Sequence, residues 1–137
     1  MVIARGLAVL LVGAMVVSAC GDDEVTGTTE AVVFGEGVIP ESVPADFPRP
    51  GDSVVGTTLV DKINNRTEYG LSVTADATST VQFFQVGLVN QGYIIDSSEG
   101  NSAEWLLDFS KGELQGSIFF TPQSDTVTTA VIRFNRS

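Results

Sequence analysis

From Ser53 onward the chain alternates apolar and polar residues with the period of two that marks β-strands. Ser53 to Ile63 reads as a first strand, with Val55, Thr57 and Leu59 on one face and Val54, Thr58 and Val60 on the other. Asn64-Asn65 tolerates positive φ and predicts a two-residue turn. Thr67 to Ala75 then returns with Tyr69, Leu71, Val73 and Ala75 facing inward. Here the period changes. Across 77–91, Val81, Phe84 and Leu88 recur at helical spacing, and Phe83 and Val86 widen the apolar stripe. Asp76, Thr78 or Ser79 can cap the first amides, and Gly92 supplies a left-handed stop. Period two resumes at Tyr93 to Ser97. It continues through 103–110, with Ala103, Trp105, Leu107 and Phe109 in phase. Two more strands follow, 114–121 with Ile118 and Phe120 on one face, and 126–135 with Ala130, Ile132 and Phe134 inward. The predicted order is β-β-α-β-β-β-β. That is an α+β domain, an antiparallel sheet of about six strands with one long helix packed on one face.

The pattern ahead of residue 53 is of another kind. Pro40, Pro44, Pro48 and Pro50 fall within eleven residues. Proline removes amide donors and holds its neighbours extended, so this stretch reads as a strap across the domain surface, anchored by Phe47. Together, 41–137 form a single domain with a Pro-rich lead-in. Residues 20–40 read as an acidic Thr/Gly tether that cannot bury enough apolar surface to fold. Its only apolar run is Ala31-Val32-Val33-Phe34. Its seventeen residues from Gly21 to Gly37 would span on the order of 20–25 Å as flexible chain.

The first nineteen residues form a third pattern. Arg5 is the only charge before Asp22, and Gly6 to Val17 is continuously apolar or small. That run has the length of a signal-peptide core and falls short of the ~20 residues needed to cross a bilayer. It ends in Val17-Ser18-Ala19-Cys20, followed at once by Gly21-Asp22-Asp23-Glu24. An aliphatic residue, two small residues and the chain's single cysteine resemble the lipobox of bacterial lipoproteins. The resemblance implies cleavage after residue 19, lipidation of Cys20, and a domain held at the cell membrane on its extracytoplasmic side.

Composition narrows the chemistry. The chain has no histidine, which removes imidazole acid–base catalysis and histidine metal ligands. The lipid reading uses the one cysteine. Without residues 1–19 there are six basic against seventeen acidic residues, a net charge of −11. A nucleic-acid partner is not expected, because such binders need clustered Lys and Arg. The same charge disfavours broad docking on anionic lipid, which leaves the acyl chains as the membrane partner.

Val43-Pro-Ala-Asp-Phe-Pro with Pro50-Gly51, Val81-Gln-Phe-Phe, Gly92-Tyr93 and Trp105-Leu-Leu-Asp-Phe resemble elements shared by a loose group of small bacterial envelope lipoproteins. The resemblance covers residues 41–137 and implies no catalytic residues. At the level of fold alone, the domain also looks like helix-grip modules of outer-membrane assembly lipoproteins.

No cofactor or metal is expected. Asp22-Asp23-Glu24 lacks calcium-loop spacing. Glu104 and Asp108 share a strand face but stand about 13 Å apart, wider than the ~5–9.5 Å of a glycosidase pair. Two binding functions remain, with an enzyme lacking histidine a remote third. One is a protein-interaction module that uses a sheet edge or face. The other is a carrier of a small apolar ligand or lipid, held between helix and sheet by Phe83, Phe84, Trp105 and Phe119. Val54, Leu106 and Phe119 discriminate them: a contiguous exposed patch favours an envelope protein partner, an inward-lined void favours a ligand.

Overall fold

The computed structural model describes residues 31–136. Cys20, the stretch 1–19 read as a signal peptide and most of the stretch read as a tether lie outside the described residues. Seven strands and one helix follow in chain order. They are β1 (Val32–Glu36), β2 (Ser53–Asp61), β3 (Arg66–Val73), α1 (Ala77–Asn90), β4 (Ile94–Gly100), β5 (Trp105–Lys111), β6 (Leu114–Pro122) and β7 (Thr128–Arg136). Every neighbouring pair is antiparallel, in the order β1-β2-β3-β7-β6-β5-β4. The helix carries the chain from β3, inside the sheet, to β4 at the far edge. The meander β4-β5-β6-β7 then runs back until β7 closes against β3.

The sheet has seven strands, close to the six or so expected, and the added one is β1. It lies in the stretch read as tether. Val32 to Glu36 pair with Asp61 to Thr57, and the amide of Lys62 donates to the carbonyl of Ala31 at 2.7 Å. The four-residue apolar run was too short to show a period, but pairing with β2 satisfies its backbone groups.

One correction concerns the faces of β2. Val55 and Thr58 are both buried, three positions apart. A bulge between them adds one residue, so the alternation changes phase. Thr57 therefore points outward, and Thr58 takes its place against Tyr69. The loop after β2 is also longer than two residues. Asp61 accepts hydrogen bonds from the amides of Ile63 at 3.0 Å and Asn64 at 3.2 Å, and Asn65 alone takes a left-handed φ of 52°.

The helix begins where Asp76 accepts from the Ser79 amide at 3.1 Å. It ends at Gly92, whose φ of 86° lets the Tyr93 amide reach back to the Leu88 carbonyl at 2.9 Å. Thr80, Val81, Phe84 and Leu88 are its buried residues. Phe83 and Val86 are exposed, so the stripe is narrower than the sequence suggested. Thr80 joins it because its hydroxyl is satisfied by the Asp76 carbonyl at 2.8 Å.

One core gathers Leu71, Leu107, Ile118, Ala130 and Ile132 from the sheet with Phe84 and Leu88 from the helix. The strap adds Phe47, whose ring lies 4.8 Å from Phe134 and 5.4 Å from Phe109, centroid to centroid. Pro48 presses on the helix at Gly87, where an added Cβ would meet it at 2.8 Å. Lys111 fixes the same corner. Its ammonium donates to Asp46 at 3.0 Å and to the Gln91 carbonyl at 2.8 Å, and sits 4.8 Å from the Tyr93 ring centre.

Candidate functional site

The sheet has one buried face and one face open to solvent, and cross-strand register decides what the open face presents. Leu106 of β5 stands directly opposite Phe119 of β6, and Phe119 opposite Val131 of β7. Side chains paired in this way touch, so the three form an apolar strip across three strands. Leu106 is 37% exposed and Phe119 43%. The strip ends at Gly70 of β3, opposite Val131, where a Cβ would meet nothing within 4 Å.

Polar rows flank the strip on both sides. Thr121, Thr129 and Ser72 line up above it across β6, β7 and β3. Ser97, Asp108, Ser117, Arg133 and Glu68 line up below it across five strands. This lower row is cross-braced. Asp108 accepts from the hydroxyls of Ser97 at 2.9 Å and Ser117 at 2.6 Å, and Arg133 donates to Glu68 at 3.1 Å. Val54 of β2 is exposed and stands opposite Ser72 of β3, at the end of the upper row and not in the strip.

A cleft of about 430 Å³ opens at the start of the helix. Trp105, Val81 and Phe120 form its apolar wall, while Gln85, Asn101 and Glu104 bring polar groups. Trp105 is held in place because its indole Nε1 donates to the Ser98 hydroxyl at 2.9 Å, and Gln85 donates to the same oxygen at 2.7 Å. Ser98 was missed in the sequence because β4 was read as ending at Ser97. The polar run Ser97-Ser98-Glu99 gives no apolar alternation to extend it.

The four residues assigned to an apolar-ligand site do not line one cavity, although the rings of Phe83 and Phe84 meet edge to face at 5.4 Å. Phe84 is fully buried, with its ring 5.7 Å from that of Phe120, and fills core space. Phe83 is exposed on the helix, Phe119 lies on the open sheet face, and Trp105 alone lines the cleft. Glu104 and Asp108 separate as well, the first at the cleft and the second among the serines of the lower row. Among the described residues, no group of three acidic, Cys or His side chains is placed to hold a metal ion. No described helix is long and apolar enough to cross a membrane.

No protein family matches the sequence, and no curated protein or solved structure matches it. The site must therefore be read from its own chemistry.

Two ionisable groups are shifted at the corner held by Lys111. The Lys111 ammonium hydrogen-bonded to Asp46 holds that carboxyl below its usual range. Burial, with the Asp46 charge beside it, pushes the Tyr93 phenol up to about 12. Both belong to the corner that pins the strap, remote in sequence from the strip and the cleft.

Proposed function

We propose that this chain is a lipoprotein of the bacterial cell envelope, held at the membrane by acylated Cys20, whose extracytoplasmic domain binds a partner protein and performs no catalysis. In this reading α1 and the strap cover one sheet face and leave the other for the partner. The observation that carries it is the strip Leu106–Phe119–Val131 between two polar rows. An apolar centre with a hydrogen-bonding rim is the anatomy of a protein interface. The paired register of three strands keeps that surface in a single shape. The lipobox residues Val17-Ser18-Ala19-Cys20 support the location, and the absence of histidine supports a non-catalytic role.

The test separates anchor from interface. Cys20→Ser is expected to move the protein from the membrane fraction to the soluble fraction, and retention in the membrane would refute the anchor. Leu106→Asp with Phe119→Asp is expected to abolish in-cell crosslinking to the partner while the thermal midpoint stays near that of the parent. Unchanged crosslinks in that folded variant would refute the docking face.

The cleft supports a second reading, a small-ligand binder. Its volume lies within the range of ~300–1,000 Å³ common for ligand sites, and its tryptophan is fixed by Ser98. Its wall is mixed in polarity, which fits a ligand with hydrogen-bonding groups better than a wholly apolar one.

A further inference from the structure

Half of the basic residues in 31–136 gather at one end of the sheet. Lys62, Arg66 and Arg136 line a cleft of about 310 Å³ beside the β2–β3 loop. Arg66 opens β3 opposite Asn135, so the neighbouring Arg136 at the end of β7 comes to the same place. In a chain of net charge −10 this convergence does not follow from composition.

Of the other three cations, Arg49 lies off this cleft and two are paired locally. Lys111 pairs with Asp46 at 3.0 Å and Arg133 with Glu68 at 3.1 Å. The three at the cleft form no such pair among the described residues. Nε of Arg66 is buried and has no hydrogen-bond partner there. A buried donor on a charged group bears its full desolvation cost unless something accepts from it.

One acid lies at the cleft, and it is already engaged. Asp61 accepts from two loop amides and from Asn64 Nδ2, the last at 2.7 Å. Three cations against one carboxylate leave an excess of two positive charges. The hydroxyls of Ser42 and Thr67, also on the cleft wall, lie 2.6 Å apart. One donates to the other, so one O–H of the pair remains to point outward.

We propose that this cleft binds a phosphate-type oxyanion, either free phosphate or the phosphodiester of a lipid headgroup. Arg66 and Arg136 offer planar donor forks, Lys62 a point charge, and the hydroxyl pair a neutral donor. One bound oxyanion relieves the excess charge. The proposal is independent of the partner-docking face, which lies on other residues.

The test uses the full chain purified in neutral detergent. Thermal midpoints are measured with inorganic phosphate, with glycerophosphoglycerol, and with chloride at equal ionic strength. One of the two phosphate probes is expected to raise the midpoint where chloride does not. A response to inorganic phosphate alone assigns a free anion, and a response to the diester assigns a headgroup. Arg66→Gln and Arg136→Gln are each expected to weaken the effective probe about tenfold. Arg49→Gln, off the cleft wall, is expected to leave the affinity unchanged. No response beyond chloride from either probe, or a response that survives both cleft substitutions, overturns the proposal.

Discussion

Phe47 shows how much one side chain holds in this domain. It belongs to the strap, yet it is only 8% exposed. Its ring lies 6.3 Å from Phe84, 5.7 Å from Tyr93, 5.4 Å from Phe109 and 4.8 Å from Phe134. Tilted and edge-on pairs of this kind add to simple burial. The ring thus ties the strap to the helix, to the strand start after it, and to β5 and β7. Truncating a buried phenylalanine costs about 3–5 kcal/mol, a large part of a typical domain's ~5–15 kcal/mol. Phe47→Ala is therefore expected to lower the urea midpoint, followed by circular dichroism, by roughly a third to a half. Phe47→Leu should recover a good part of that loss. A shift below about 1 kcal/mol would mean the strap contributes little to stability. Phe47 was legible in the sequence because it is the one aromatic among prolines, with no other role open to it.

At the scale of elements, sequence and structure agree where a period runs unbroken. β3, β5 and β7 present Leu71, Leu107 and Ile132 inward as their alternation required. The helix ends were legible because Asp76 and Gly92 each have a specific backbone task. Agreement fails where local geometry adds a residue or where composition carries no contrast. The β2 bulge changes the phase of the strand, and counting residues cannot detect it. The helix has no charged residue in its fourteen, so nothing marked Phe83 and Val86 as its solvent side. The open strip was only partly legible. Leu106 and Phe119 were named, but their pairing with Val131 depends on register, which tertiary structure sets. Register also explains Gly116 of β6. A Cβ there would run into the Phe109 ring and the Arg133 carbonyl, the latter rigid backbone. Gly116→Ala is expected to cost about 1–3 kcal/mol by overpacking, read as a lower urea midpoint at unchanged m-value. A neutral result would show that β5 and β6 can separate at this point.

For the whole molecule, charge sets the pH range of stability. Asp46, Asp61 and Asp76 are all held below the usual carboxylate value, chiefly by Lys111, Asn64 and Ser79 respectively. A carboxyl whose folded pKa is depressed stabilises the fold above its unfolded pKa of about 4 and loses that contribution as pH falls below it. Acid also relieves the self-repulsion of an acidic chain, which acts in the opposite direction. That relief comes from the same protonation, but exposed acids share it between folded and unfolded states. The thermal midpoint is therefore expected to hold from pH 7 to 5 and decline below about 4. Replacing the three by Asn should lower the midpoint at pH 7 and flatten the acid limb. An unchanged limb in that variant would show that other groups control it. Burial raises two phenols, Tyr69 the further and Tyr93 to about 12, and both bear on the alkaline side. Their contribution is complete below the unfolded pKa of about 10 and is lost as pH rises toward the folded values.

The edge strand β1 gives this molecule a mechanical property. It is the first paired segment of the described chain, yet none of its five residues is buried in the core. Tension arriving through the chain ahead of Val32 meets its ladder with β2 before it meets any core contact. That ladder can peel away while Leu71, Ile118 and Ile132 stay packed. Five residues drawn out at about 3.4 Å each add roughly 17 Å of reach. In a single-molecule pulling trace, β1 is therefore expected to leave β2 before the core opens, as a first extension step of roughly that length.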